Sequence, residues 1–275
     1  MIAVQTVQQA RLYASSETAG DYRKRLLNEL FEKYPDARDA YDVICEDINS
    51  LQDEHQREHV FMNEVRHLYT YLLAPPGPGR IMDVWDVASV ALARLKGYHI
   101  ERPAVAGFNL ERDVLPYNDG TLDGALLCEV IEHYNSDPIW SLMEINRVLR
   151  PGGFIILSTP NSASWFQIYR ALRHLQPSRY AVYGTTAETK FNSIHAREYV
   201  PSEVTALLDA TGFGEFQLST KDYGVWPEHE PLVGFDPRDR GETIFCRAIK
   251  TGKPKKRYFT PLYSGDKDFS YYQDR

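Results

Sequence analysis

The apolar positions of this 275-residue chain follow two different rhythms. Over the first 74 residues they recur every three or four positions. "DYRKRLLNELFEKYPDARDAYDVICEDI" places Leu26, Leu27, Leu30 and Phe31 on one helical face and breaks at Pro35. "EHVFMNEVRHLYTYLL" repeats the pattern with Val60, Phe61, Val65, Leu68 and Leu72. The stretch "APPGPGR", 74–80, is rich in turn formers and closes this helical part.

Beyond it, short apolar strands alternate with helices. "RIMDV" reads as a buried strand and 88–96 as a helix, with "YHI" and "AGFNL" as short strands. "LDGALLCEV" is an apolar strand. "DPIWSLMEINRVLR" is an amphipathic helix that turns Ile139, Leu142, Ile145, Val148 and Leu149 inward and stops at "PGG". "FIILSTP" is a strand, and "PSEVTALLDATGF" a helix with Ser202 as N-cap and Gly212 past its end. "EFQLSTKDY" and "ETIFCRAIK" add two strands. Such alternation predicts an α/β fold, a mostly parallel central sheet with helices on both faces. The expected division is an N-terminal helical extension over 1–74, an α/β domain over 75–250 and an aperiodic tail over 251–275.

The formal net charge of −7 argues against a general nucleic-acid or anionic-membrane binder. No apolar run approaches the ~20 residues of a membrane span, and "MIAVQTVQQARLYASS" lacks the basic start and apolar run of a signal peptide. Cys45, Cys128 and Cys246 have no paired spacing and read as reduced thiols of a cytoplasmic protein. His55 and His59 lie one helical turn apart, but no third ligand accompanies them. They read as a solvated helix face, and no metal site is expected. The short basic run "KPKKR", 253–257, reads as solvated tail.

The block "LPYNDGTLDGALLCEVIEHYNSDPIWSLMEINRVLRPGGFIILSTPN", 115–161, followed by "HAREYVPSEVTALLDATGF", resembles class I S-adenosylmethionine-dependent methyltransferases of the small-molecule type. The resemblance runs over roughly residues 80–250. It implies a Rossmann-like fold, S-adenosylmethionine as cofactor, and methyl transfer to oxygen or nitrogen of a small molecule or saccharide. In an open parallel sheet the ligand lies outside the carboxyl ends of the strands. The resemblance puts Asp83 at the end of the first strand and Glu101 beside the ribose hydroxyls. It puts Asp113 at the adenine amino group, with Cys128 and Glu129 at the methionine end. Each acid has a second reading: Glu101 as a surface glutamate, Asp113 as a turn cap, Glu129 as a helix N-terminal acid. His133 could deprotonate an acceptor hydroxyl near neutral pH or simply shape its loop, since methyl transfer often needs only positioning. His195 and Tyr199 come near the pocket mouth, for acceptor contact or for packing. Asp123 starts its strand.

The chain departs from that family where the cofactor's backbone cradle should be. No glycine lies between Gly79 and Gly97, and Trp85 stands where the first glycine of the turn belongs. Glycine there permits positive φ and close backbone approach, whereas Val87 is β-branched and resists left-handed geometry. Only 15 residues separate Gly97 from Asp113, which leaves little room for the next helix. A narrowed pocket with weakened affinity for S-adenosylmethionine is expected. Two readings follow: an enzyme with an atypical cofactor site, or a non-catalytic pseudo-methyltransferase serving a protein partner as an interaction or regulatory module. A nicotinamide-dependent dehydrogenase needs the same glycine turn and has nothing else in its favour.

Overall fold

The computed structural model describes residues 19–54, 57, 63–103, 108–136, 138–178, 194–222 and 240–255. Three helices come first: α1 (Ala19–Lys33), α2 (Ala37–Ser50) and α3 (Glu64–Leu73). The predicted break at Pro35 falls between α1 and α2. The α/β part then runs β1 (Gly79–Asp83), α4 (Ala88–Lys96), β2 (Tyr98–Glu101), β3 (Leu122–Cys128), α5 (Pro138–Val148), β4 (Leu149–Pro160), α6 (Trp165–Leu172), α7 (Pro201–Ala210), β5 (Phe213–Lys221) and β6 (Thr243–Lys250). A short 3-10 turn, Ile131–His133, lies between β3 and α5.

The six strands form one sheet in the order β2-β1-β3-β4-β6-β5. β1 pairs in parallel with β2 and β3, and β3 with β4, while β6 runs antiparallel between β4 and β5. Alternation along each strand sends side chains to opposite faces. Ile81, Leu126, Phe154, Ile156 and Phe245 face a core shared with α1, α2, α3 and α4. Met82, Ala125, Leu127, Ile155, Leu157, Ile244 and Cys246 face a second core under α5 and α7. The N-terminal helices are therefore one covering layer of the sheet. The inward set expected on α5 is fully buried: Ile139, Leu142, Ile145 and Val148 are all at 0% exposure.

Glycine matters at two places for different reasons. Gly97 ends α4 in the left-handed conformation, φ 72°, which releases the chain directly into β2. At Gly124 a Cβ would stand 2.4 Å from the Phe154 ring, so the closeness of β3 to β4 depends on its absence.

Two local expectations are corrected. α7 begins two residues earlier than predicted, with Val200 as N-cap and Pro201 at the first helical position. Proline needs no N–H partner there, and the Glu203 carboxylate accepts the Val200 N–H at 3.1 Å, so Ser202 sits inside the first turn. "AGFNL" does not supply a strand in its described part. Asn109 and Asp113 close a turn instead, through the Asp113 N–H on the Asn109 carbonyl (2.8 Å) and the Asn109 N–H on Asp113 Oδ2 (2.7 Å). Among the described residues β2 is therefore a sheet edge. His55 and His59 lie outside the described residues. Of the "KPKKR" run, the described part includes Lys255, which pairs with Asp209.

Candidate active site

β1 and β3 end side by side, and the chain leaves each through a tight turn. After β1, the missing glycines have a structural counterpart. Val87 caps α4 in ordinary right-handed geometry, φ −64°, and among the described residues none of 84–87 adopts positive φ. The turn is built around a carboxylate. Asp86 is buried, and its Oδ1 accepts the Ala88 N–H at 2.8 Å, satisfying one of the free donors at the start of α4. The same oxygen stands 2.8 Å from Nδ1 of His67, itself buried and supplied by α3. Burial opposes ionisation of Asp86, but the facing His67, with Arg66 and the Ala88 N–H, holds its pKa below the ordinary carboxylate value. A negative charge therefore already occupies the helix N-terminus that a nucleotide ligand would approach. Trp85 is not the group around which the turn is organised: it stands 50% exposed.

Asp83, at the end of β1, is fully buried. Arg102 reaches it from the end of β2 and donates to Oδ2 at 3.3 Å, while Oδ1 has no hydrogen-bond partner. Burial first, and the like charge of Asp86 second, push its pKa up to about 6. An orphaned acceptor of this kind calls for a donor from water or a ligand. Glu101, expected at the ribose, is engaged by Arg80 at 2.7 Å on the exposed sheet edge. Asp113 spends Oδ2 on its own turn, as the capping reading had it, while its side chain remains 39% exposed.

After β3 the chain places Cys128 and Glu129 back to back. The Cys128 thiol points into the α3-side core, 3.8 Å from the Thr70 hydroxyl, and burial raises its pKa well above the usual value. Glu129 takes a left-handed backbone, φ 54°, unusual for a residue with a Cβ. Its carboxylate accepts the Ser158 hydroxyl at 2.9 Å, and Arg66 of α3 stands 3.8 Å away.

The 3-10 turn next in sequence carries Glu132 and His133. The Ile194 carbonyl accepts His133 Nδ1–H at 2.7 Å, so a neutral ring carries its lone pair on Nε2. Burial lowers the His133 pKa and favours that neutral form. Nε2 lies 3.9 Å from Glu132 Oε1. Glu132 is fully buried, and burial with the nearby Glu129 charge raises its pKa well above the ordinary range. The His195 ring packs edge-on against His133 with centroids 4.8 Å apart. Tyr199, the other downstream candidate, is buried with its hydroxyl 3.4 Å from the Ile131 carbonyl, and it packs the second core. Asp123 accepts from the Arg80 N–H and from Arg150 at the start of β3.

The fold thus gathers Asp83, Trp85 and Asp86 at the end of β1, Glu101 and Arg102 at the end of β2, and Glu129, Glu132 and His133 after β3. Sequence reasoning passed over Asp86, His67, Arg102 and Glu132. For Asp86 a signal was available, since an acid two residues before a helix suits a capping role. For His67 and Arg102 there was none, because their partners are set by tertiary packing.

Over part of its length the chain is similar to known proteins. Residues 77–157 match a family described as "Methyltransferase domain". A protein of Mycolicibacterium smegmatis named "Probable S-adenosylmethionine-dependent methyltransferase" is 34% identical over 129 residues, 47% of this chain. The chain aligns with 41% of that relative's length. Among solved structures, a methyltransferase from Thermotoga maritima aligns with 83% of this chain and 98% of its own at 18% identity and TM-score 0.42. One from Archaeoglobus fulgidus aligns with 70% and 94% at 12% identity and TM-score 0.46. No helix among the described residues is long and apolar enough to cross a membrane.

Proposed function

We propose that this chain, which matches a methyltransferase-domain family over residues 77–157, is an S-adenosylmethionine-dependent methyltransferase with an atypical and weakened cofactor site, acting on oxygen or nitrogen of a small molecule or saccharide. The observation that carries this reading is the carboxylate of Asp83, buried and with Oδ1 unpartnered at the end of β1. A cationic, hydrogen-bond-donating ligand would satisfy that oxygen. The cofactor, when bound, supplies a methyl group activated by its sulfonium. The protein's share of the chemistry is positioning and charge. Asp83 and Glu129 are the acids for the methionine end, with the Cys128 backbone between strand and turn. Glu101 and Asp113 are the acids for the ribose and adenine, and Trp85 offers an exposed ring. His133, its Nδ1 tied to a carbonyl, would take the proton of an acceptor hydroxyl on Nε2.

The weakening follows from Asp86. A ligand denied the N-terminus of α4 forgoes an interaction worth up to about 2 kcal/mol in partly buried geometry, or roughly a tenfold loss in affinity or more. The same observation favours a second reading, a non-catalytic pseudo-methyltransferase that serves a protein partner, since His67 and Asp86 could close the turn to any nucleotide.

Calorimetric titration with S-adenosylmethionine and S-adenosylhomocysteine separates the two. Weak saturable binding is expected, reduced in an Asp113→Ala variant. Absence of heat and of any thermal shift at millimolar ligand would leave only the pseudoenzyme reading. Equal binding by Asp113→Ala would remove Asp113 from the adenine site.

A further inference from the structure

Glu132, His133 and His195 converge from two distant segments, and the methyl-transfer reading uses only one of them. We propose that these three side chains form a binding site for one divalent transition-metal ion. Their ligand atoms all lie within 4.8 Å of one another. Metal–nitrogen and metal–oxygen bonds in such sites are about 2.0–2.2 Å, so two donors on one ion sit roughly 3–4 Å apart. The 3.9 Å between Glu132 Oε1 and His133 Nε2 already meets that spacing. The widest separation in the group, at most 4.8 Å, exceeds that spacing by less than an ångström.

The surroundings are arranged as supporting groups around metal ligands are. The Ile194 carbonyl fixes His133 Nδ1 and leaves Nε2 as the donor nitrogen. The Thr159 hydroxyl holds Glu132 Oε2 at 2.9 Å, leaving Oε1 fully buried with no hydrogen-bond partner. A buried carboxylate oxygen in that state is costly, and a cation would satisfy it. The N–H groups of Ala196 and Arg197 both donate to the Glu132 carbonyl, at 2.9 and 3.2 Å, and tie the His195 segment to the turn. Glu129, held in its left-handed backbone, adds a further negative charge close enough to act on both Glu132 and His133. Backbone strain of this kind clusters at functional sites.

Two imidazoles and one carboxylate favour zinc, iron or cobalt over magnesium or calcium, which prefer all-oxygen sets. Three protein donors leave a coordination position for water or an acceptor oxygen. Metal binding itself is independent of the methyl-transfer reading, and only the use of the open position rests on it. The inference does change one role: a lone pair given to the ion makes His133 a ligand instead of a free base.

The test uses the full chain, stripped with EDTA and titrated with cobalt(II), followed by visible absorption and calorimetry. One equivalent is expected to bind with ligand-field bands, and zinc is expected to displace it. His133→Ala and His195→Ala should each weaken binding at least tenfold, while the double variant His55→Ala/His59→Ala keeps it. Should circular dichroism show either single variant unfolded, the isosteric Glu132→Gln carries the same expectation. No stoichiometric binding by the wild-type chain, or binding abolished only by the His55/His59 variant, overturns the site. These readouts need no methyl donor, so loss of the enzyme reading and loss of the metal site remain distinguishable.

Discussion

Asp86→Ala is expected to lose about 3 kcal/mol of folding stability, the upper scale of leaving buried hydrogen-bonding groups without their partner. The carboxylate performs two tasks that alanine cannot. It accepts the Ala88 N–H at the start of α4, and it faces the buried His67 imidazole at 2.8 Å. Removing it leaves a buried donor and a buried ring without their acceptor. Some of the loss is offset, because Asp83 no longer confronts a like charge. Asp86→Asn retains an acceptor oxygen for both partners and should lose markedly less, about 1 kcal/mol. Urea unfolding of the three proteins gives these differences directly. A loss below about 0.5 kcal/mol in Asp86→Ala, within the range of ordinary surface changes, would mean that the turn is not held by this carboxylate.

Asp83 gives the second large effect, and it depends on pH. Its pKa rises from 3.8 to about 6 on folding, chiefly through burial and then through the charge of Asp86. The folded state therefore binds more protons than the unfolded state between those two values. Below the lower one both states are protonated and the group contributes nothing. As pH climbs through the window, the unfolded chain gives up its proton while the buried acid keeps it, and stability falls. The Asp83→Asn variant lacks this term. Its stability relative to wild type should improve by about 2 kcal/mol between about pH 4 and pH 7. The difference between the two proteins matters here, since every other titrating group is common to both. A difference that stays flat across that interval, or that runs the other way, would show that Asp83 is ionised in the fold with an ordinary pKa.

The two acids also explain why part of the site was readable in advance and part was not. Alternation of apolar runs with helical stretches fixed the order of β1, α4, β2, β3, α5 and β4, because burial on both faces of a parallel sheet demands continuous apolar strands. The position of Asp83 at a strand end followed from that pattern alone. The turn from Asn109 to Asp113, where the pattern predicted a strand, did not follow from it. The role of Asp86 did not follow. Its partner His67 lies 19 residues earlier on a helix whose docking against the sheet is a long-range event. Trp85, conspicuous in the sequence, stands exposed, whereas the fold buries the small acid beside it.

Sequence by itself determined the layered α/β class, the helix that ends at Gly97, the inward faces of α5 and the loss of the glycine turn. These are local matters of periodicity, backbone permissiveness and apolar run length, all carried within a window of a few residues. Only the tertiary structure decided that the N-terminal helices form a face of the sheet, that His67 meets Asp86, and that His195 meets Glu132 and His133. Such pairings arise because burying apolar faces brings remote segments together. The polar groups carried along must then find partners across distances in the chain that no local pattern encodes.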